Sequence, residues 1–195
     1  TNTAALFDRG RIPKFPAGLE WTGPLPVNLE SGNFHPPHLT AVDEQIDEAS
    51  DNPGAQRFEK AVSGAYLGRL LAAAAPESAF DPESGSAGVV QMAGRSPDGE
   101  RAARVAAAII ERSARLVAAS LAGVIACLDL GPGDRRVKII AEGGLYWGAP
   151  GYSATVNSTL IELLGELGLS GVTASISSVA SATLAGSTLA ALSRT

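Results

Sequence analysis

The sequence predicts an α/β fold in which short strands alternate with helices along a single domain. Two β-branched runs, residues 137–141 and 172–176, enclose an amphipathic helical pattern over residues 152–167. That order is typical of two parallel strands joined by a right-handed crossover helix. A long helical pattern over residues 98–128 becomes apolar on every side, which indicates a helix buried between layers. With 45% hydrophobic residues, the 195-residue chain can bury one sizeable core.

The N-terminal part of the chain is predicted to form two strands. Residues 3–7 are apolar and lead into a bend at residues 8–11, so we expect a strand and the start of a hairpin. The prolines between residues 12 and 26 prevent regular strand pairing there. Alternating apolar and polar residues over 26–30 predict the second strand, and Gly32 then permits a sharp change of direction.

Two helices are predicted next. Thr40, with Asp43 three residues later, indicates a capping box at the start of a short acidic helix over residues 40–50. We expect the charges of this helix to form a solvated face. Asn52 as N-cap, followed by a proline, predicts a second helix over residues 53–75. The i, i+4 spacing of Phe58, Val62, Tyr66 and Leu70 predicts the buried stripe of that helix.

The segment between the second and the long helix differs in composition from the rest. Glycine, serine and proline dominate residues 76–99, which predicts a linker-like loop within a single unit over residues 1–195. The long helix over residues 98–128 is predicted to end before Gly131-Pro132-Gly133. A final helix rich in small residues is predicted over residues 183–192.

A glycine pair, Gly143-Gly144, follows the strand predicted at residues 137–141. Ligands of open α/β sheets bind at the carboxyl ends of the strands, where this pair and the loop at residues 177–182 are expected. Glycines let backbone N–H groups approach an anion without obstruction by Cβ. Most such pairs are nevertheless simple turns, so the pair alone is a weak signal.

Two glutamates are candidate ligand-binding residues. Glu30 lies at the end of the second strand, and Glu59 is predicted to lie about two turns inside the second helix, each beside an apolar surface. A carboxylate can accept hydrogen bonds from two neighbouring hydroxyls, so such a pair suits a polyhydroxylated ligand. Taken singly, Glu30 could equally be a strand-edge charge, and Glu59 with Lys60 could be a solvated helix face.

An ordered series of motifs over this region resembles the hexokinase family. The series comprises Asn-Leu-Glu-Ser-Gly-Asn-Phe at 28–34, Thr40 with Asp43, Ile46 and Asp47, Asn-Pro-Gly at 52–54, and Phe-Glu-Lys-Ala-Val-Ser-Gly-Ala-Tyr-Leu-Gly at 58–68. The long helix, the strand with its glycine pair and the last segment are also similar to the family. The family usually has Gly-Thr-Gly-Thr-Asn where this chain begins at Thr1-Asn2, so we expect the chain to start inside a motif.

The resemblance implies the large lobe of an actin-like, ribonuclease-H-like fold, a mixed sheet flanked by helices that is incomplete without an upstream half. It implies ATP-dependent phosphorylation of a hexose such as glucose, with Mg²⁺. The site residues that it implies are Asn2, Glu30 and Glu59 for the sugar, and Gly143, Gly144, Thr183, Gly186 and Ser187 for the nucleotide. The family's catalytic base is an aspartate expected upstream, in the same protein or a companion chain. We therefore expect this chain to be inactive alone.

Some of the implied residues have simpler explanations. Asn2 could be an ordinary terminal residue, and Thr183 and Gly186 also suit helix capping and close packing. Glu142 and Gly144 occupy positions where the family commonly has aspartate and serine, so this loop lacks one hydroxyl donor.

Other functions fit parts of the pattern. A non-catalytic sugar-binding or regulatory module would keep the sugar contacts without turning over ATP. A glycosidase would use Glu30 and Glu59 as an acid/base pair, which no other feature favours. A serine hydrolase built on Ser153 is rejected, because the final glycine of the elbow is absent and both histidines lie in one proline loop.

Composition excludes several classes of partner. A net charge of −5 and an aromatic content of 5% do not suit binding to nucleic acid. The longest uncharged apolar run, residues 116–128, is shorter than the ~20 residues that span a bilayer, so no membrane association is expected.

Cys127 is the only cysteine, which indicates a reducing, cytoplasmic setting. His35 and His38 have no further ligands to complete a metal site. A P-loop motif is absent.

Overall fold

The computed structural model describes residues 2–8, 10, 12, 14, 23–95, 100–128, 130 and 135–181. The strands are β1 (Ala4–Phe7), β2 (Leu25–Asn28), β3 (Arg136–Ile140) and β4 (Thr173–Ser177). The helices are α1 (Ala41–Glu48), α2 (Arg57–Val62), α3 (Gly64–Ala74), α4 (Gly85–Ala93), α5 (Arg101–Cys127), α6 (Gly144–Gly148) and α7 (Tyr152–Glu166). Short 3₁₀ turns occupy Ser31–Asn33, Pro76–Ser78 and Pro82–Ser84.

The described strands form one antiparallel and one parallel pair. Ala4 of β1 lies opposite Asn28 of β2, and Arg136 of β3 lies opposite Thr173 of β4. The expected mixture of strand directions is therefore present, but the described residues form two two-stranded sheets rather than one continuous sheet. β2 ends at Asn28 instead of residue 30, because Glu30 has left-handed backbone angles (φ 47) that interrupt a strand.

The capping box predicted for α1 is confirmed. The Asp43 N–H donates to Thr40 Oγ1 at 3.3 Å, and the Thr40 N–H donates to the Asp43 carboxylate at 2.8 Å. The predicted solvated face is wrong for Asp43 and Asp47, which are only 6% and 4% exposed. Cations from α2 and α5 reach these two carboxylates, and this compensates for the cost of burying their charge.

The start predicted for the second helix is wrong. α2 begins at Arg57, after Gln56 has adopted a left-handed conformation (φ 51), and not at Pro53. The preceding loop is bonded to α1 instead, because the Gly54 N–H donates to the Asp47 carboxylate at 2.8 Å. A tertiary contact therefore overrides the local capping signal.

The helix predicted over residues 53–75 is also divided in two. At Ser63 the backbone becomes extended (ψ 139), and the Ser63 hydroxyl accepts a hydrogen bond from the Ala65 N–H to cap α3. Glu59 consequently lies in the first turn of α2 rather than two turns inside a long helix. Of the predicted stripe, Phe58, Val62 and Leu70 are buried and Tyr66 is half-buried.

Residues 76–95 are not a linker-like loop, because they contain α4. Val89 and Met92 of this helix lie in one apolar core with residues of α3 and α5. A Cβ atom at Gly68 would lie 2.4 Å from the Pro82 carbonyl oxygen, so glycine is needed where the turn before α4 crosses α3. Within the segment, a Cβ atom at Gly88 would lie 2.1 Å from Ser84 Oγ, so this glycine also serves close packing.

The predicted long helix is confirmed as α5, which has 27 residues and connects two apolar clusters. Burial on every side is wrong for its apolar half, because Ala119, Gly123 and Cys127 are exposed. Its first half packs with α3 and α4. Its second half packs with α7 and β3–β4. The crossover from β3 through α7 to β4 is also confirmed, and Gly168 (φ 72) follows the end of α7 as predicted. The helix predicted at residues 183–192 and the glycines at 131 and 133 lie outside the described residues.

Within the part of the chain that the structure describes, no helix combines the length and apolar character needed to cross a bilayer.

Candidate functional site

A cavity of about 970 Å³ opens between β1, the end of α2, α5 and β3. Its lining includes Asn2 and Thr3 at the start of the chain, and Glu142, Gly143 and Gly144 in the turn after β3. Most of the remaining lining is apolar and includes residues of α5 such as Val117 and Leu121. Two of the segments singled out from the sequence thus face one opening.

Glu30 is oriented by a chain of amide hydrogen bonds that begins at Asn2. Asn2 Nδ2 donates to Asn28 Oδ1 at 2.6 Å, and Asn28 Nδ2 donates to Glu30 Oε1 at 2.5 Å. The Ser31 N–H donates to Asn2 Oδ1 at 3.2 Å, and the Ser31 hydroxyl donates to the Thr3 hydroxyl at 3.1 Å. The hairpin register creates this chain by bringing the start of β1 beside the end of β2.

Glu59 lies on the element next to Glu30. The Phe58 N–H donates to the Phe34 carbonyl at 2.9 Å, which fixes the first turn of α2 against the segment that follows Glu30. The Phe34 and Phe58 rings meet edge to face at 6.4 Å. Phe58 and Val62 of α2 line the cavity, and Glu59, which is half-buried, is in the turn between them. The two glutamates therefore stand on adjoining elements beside the cavity, although neither is part of its lining.

A buried group of charges holds α2 in this position. Asp47 of α1 accepts hydrogen bonds from Lys60 Nζ at 2.6 Å and from Arg57 Nη1 at 3.2 Å. Arg57 also pairs with Glu44. Burial by itself would raise the pKa of the Asp47 carboxyl, but the hydrogen bonds from Lys60 and Gly54 and the nearby positive charges hold it below its usual value. Arg57 and Lys60, which flank Glu59 in the chain, therefore both bond to α1.

The glycine turn follows β3 as predicted. Gly143 has φ 129, which side chains rarely permit, and Gly144 is the first residue of α6. A Cβ atom built at either glycine would meet nothing within 4 Å, so the space beside this backbone is open. The turn can be approached closely by an anion. Among the described residues, no group of three His, Cys, Asp or Glu side chains could hold a metal ion.

The hexokinase family model matches residues 1–79 and 84–193. The chain belongs to the hexokinase family. Hexokinase-7 from Oryza sativa subsp. japonica is 32% identical to it over 207 residues, which are 85% of this chain and 45% of that protein. Hexokinase-2 from Solanum tuberosum is 30% identical over 209 residues, covering 85% of this chain and 42% of that protein. The chain thus spans less than half the length of these hexokinases.

Solved structures agree with this assignment. A hexokinase crystal structure of 25% sequence identity matches 79% of this chain and 41% of its own, with a TM-score of 0.63. A Schistosoma mansoni hexokinase complexed with glucose matches 90% of this chain and 47% of its own with a TM-score of 0.65, and at 18% identity it shows the fold alone. The actin-like fold expected for the large lobe is therefore confirmed, as part of a hexokinase domain.

Of the site residues predicted from the sequence, Asn2, Gly143 and Gly144 line the same cavity. Glu30 is linked to Asn2 by hydrogen bonds through Asn28. Thr183, Gly186 and Ser187 lie outside the described residues. Sequence reasoning assigned no role to Asn28, which connects Asn2 to Glu30. The alternation within β2 could have indicated it, because Asn28 is the polar residue on the exposed face.

Proposed function

We propose that this chain is part of an enzyme that transfers the γ-phosphoryl group of ATP to a hydroxyl of a hexose such as glucose. The observation that carries the proposal is that Glu30 and Glu59, on adjoining elements, lie beside a cavity whose lining includes the Gly143-Gly144 turn. The sugar and the phosphates would then approach each other across one opening. Membership of the hexokinase family supports the same reaction.

The chain's part in sugar binding is assigned to Asn2, Glu30 and Glu59. Each carboxylate accepts hydrogen bonds from sugar hydroxyls, and each such bond to a charged acceptor contributes about 1.5–3 kcal/mol. Asn28 holds one oxygen of Glu30 and so fixes the direction of the other. Arg57 and Lys60, which flank Glu59 in the chain, bond to Asp47 of α1 and so fix the helix that carries Glu59.

The chain's part in nucleotide binding is assigned to Gly143 and Gly144, with Thr183, Gly186 and Ser187. The open backbone at Gly143 suits a phosphate group, because nothing there obstructs its approach. ATP would supply the phosphoryl group, and Mg²⁺, when bound with it, would neutralise charge on its phosphates. Mg²⁺ usually binds through substrate phosphates and one or two carboxylates, and we assign it no ligand on this chain.

The reaction forms a bond from a sugar oxygen to the γ-phosphorus and breaks the bond from that phosphorus to ADP. The hydroxyl proton must pass to a base, which we assign to the remaining half of the hexokinase, in the same polypeptide or a companion chain. A cytoplasmic location is part of the proposal, because ATP and free hexose meet there.

A coupled assay of ADP release on the complete hexokinase tests the proposal. We expect release that depends on glucose, and a Glu59→Gln variant should raise the glucose KM by at least about tenfold, the loss of one bond to a charged acceptor. Glu48→Gln is the matched control, because Glu48 is an exposed glutamate on α1, away from the cavity. Glucose binding that is equal in all three proteins contradicts the role of Glu59.

A non-catalytic sugar-binding module is the second candidate, favoured by glycine at position 144 where hydroxyl donors are common in the family. Such a module would bind glucose and lose affinity in Glu59→Gln, yet release no ADP. The same two measurements therefore separate it from the kinase.

A further inference from the structure

Three buried groups from distant parts of the chain form one hydrogen-bonded series, which we call the hydroxyl relay (Tyr152, Ser113 and the Val62 carbonyl). Ser113 Oγ donates to the Val62 carbonyl at 2.7 Å, and the Tyr152 hydroxyl lies 2.8 Å from Ser113 Oγ. Ser113 is fully buried and Tyr152 is 3% exposed. A serine hydroxyl has one proton, and it is used on Val62, so Tyr152 must donate to Ser113.

The relay satisfies the carbonyl at which α2 ends. Val62 is the last residue of α2, and the backbone turns away at Ser63 (ψ 139). The last carbonyls of a helix have no partner within it, and a buried carbonyl without a partner is costly. The final hydrogen bond of α2 runs from the Ser63 N–H to the carbonyl of Glu59 at 2.8 Å. The turn that Ser113 anchors is therefore the turn that carries Glu59.

The other end of the relay lies in the largest apolar cluster of the described chain. Tyr152 is the first residue of α7 and packs with Val156 and Leu160. Its ring meets that of Tyr146 of α6 at 6.0 Å, and α6 begins at Gly144. α2, in contrast, has only six residues, and its cluster has three buried members. Arg57 and Lys60 still bond α2 to α1, so when the relay is broken we expect the shift at the last turn of α2 rather than in the large cluster.

We propose that Tyr152 and Ser113 are positioning residues that set the affinity for the hexose by fixing the end of α2, and with it Glu59. This inference rests on the proposed function, because it takes Glu59 as a sugar ligand. Both hydroxyls are buried and bonded to each other, and Tyr152 is also one of the residues that line the cavity. Their removal acts on the hexose side and leaves the nucleotide side unchanged, since Tyr152 keeps its ring in the large cluster.

Steady-state kinetics of the complete hexokinase test the proposal with Tyr152→Phe, Ser113→Ala and the double variant. Tyr152→Phe should raise the glucose KM by about 2- to 12-fold, as for one neutral hydrogen bond, with the ATP KM unchanged. Ser113→Ala leaves the Val62 carbonyl without a partner, so its glucose KM should rise by about 5-fold or more. The double variant should be no worse than Ser113→Ala, because the tyrosine acts through the serine.

Tyr66→Phe is the matched control. It removes a hydroxyl from α3, outside the relay, and should keep the glucose KM of the unchanged protein. Thermal melts of every variant separate the proposed role from a purely structural one. A structural role lowers the melting temperature and the active fraction, and hence kcat, while both KM values stay the same.

The outcomes distinguish the relay from the proposed function. If the unchanged hexokinase releases no ADP with glucose, the proposed reaction is wrong, and the relay is then judged by glucose titrations of the same proteins. If it is active and Tyr152→Phe leaves the glucose affinity unchanged, the relay has no positioning role. Multiplicative effects in the double variant also overturn the proposal. Should Ser113→Ala fail to fold, Tyr152→Phe, which keeps the ring, decides alone.

Discussion

The two sides of the cavity are held in place by different interactions. On the side proposed to bind the sugar, here called the sugar side, α1 and α2 meet through buried charges, with Asp47 bonded to both Lys60 and Arg57. On the side proposed to bind the nucleotide, here called the nucleotide side, β3, α6 and α7 pack in an apolar cluster with α5 that includes Val156 and Leu160. The helix that carries Glu59 is short and oriented by directional bonds, whereas the glycine turn is carried by a large packed layer.

The difference matters because charges and apolar contacts specify structure differently. Apolar packing stabilises in proportion to the area buried but tolerates small shifts in orientation. Bonds from Lys60 and Arg57 to one carboxylate permit few orientations, although a buried ion pair adds little net stability. We infer that the sugar side gains orientation from its charges and the nucleotide side gains stability from its core.

The largest expected effect is that of Asp47→Ala. Removal of this carboxylate leaves the buried Lys60, 3% exposed, without its carboxylate partner, and leaves Arg57, 8% exposed, with Glu44 but without its bond to Asp47. Breaking a buried pair in this way costs about 3–5 kcal/mol of unfolding free energy. Urea unfolding of the variant measures the loss, with Glu48→Ala, an exposed neighbour on α1, as control. A loss no larger than that of the control contradicts the role given to the charges.

Leu160→Ala tests the apolar side. Leu160 is 1% exposed within the cluster of α5 and α7, and truncation of a buried leucine costs about 2–5 kcal/mol. The adjacent Ile161 is 70% exposed, so Ile161→Ala should cost far less. Unlike that of Asp47→Ala, the loss should be independent of pH. A strong pH dependence would mean that the two sides are not distinct.

Acidification is expected to lower the stability by a smaller amount. The pKa of Asp47 is lowered in the fold from its usual 3.8, because bonds and charges from Lys60, Gly54 and Arg57 outweigh burial. Its contribution to stability is therefore complete above pH 3.8 and is lost as the pH falls through the native pKa. Unfolding midpoints measured from about pH 7 to about pH 2 should fall less steeply in Asp47→Asn. Identical slopes in both proteins would show that this carboxyl does not contribute.

The smallest effect is expected from Thr40→Ala. It removes the N-cap of α1, whose hydroxyl also donates to the Asp43 carboxylate at 2.6 Å, and should cost about 1 kcal/mol. Thr40→Ser keeps both bonds and serves as control. The test sharpens the comparison, because a cost near that of Asp47→Ala would mean that capping, and not the ion pairs, holds α1.

Local signals in the sequence predicted the elements whose partners are close in the chain. The capping box of Thr40 and Asp43 joins residues three apart, and Gly168 ends α7 within one turn. The long apolar pattern of α5 and the β–α–β order at the C-terminal end were also sufficient. Even so, Asn52-Pro53 predicted a helix start that does not occur, because Asp47 and Lys60 bind the loop backbone on either side of it.

By itself, the amino-acid sequence determined the family, the α/β class and the identity of the candidate residues. Each of these follows from short motifs, or from a series of them, that can be recognised without knowing which distant residues come into contact. Tertiary structure alone decided that Asp43 and Asp47 are buried, that residues 76–95 hold a packed helix, and that Glu59 lies in a first turn. The reason is distance along the chain. Arg112 reaches Asp43 across 69 residues, and Ser113 reaches Val62 across 51. Only a folded chain brings such partners together.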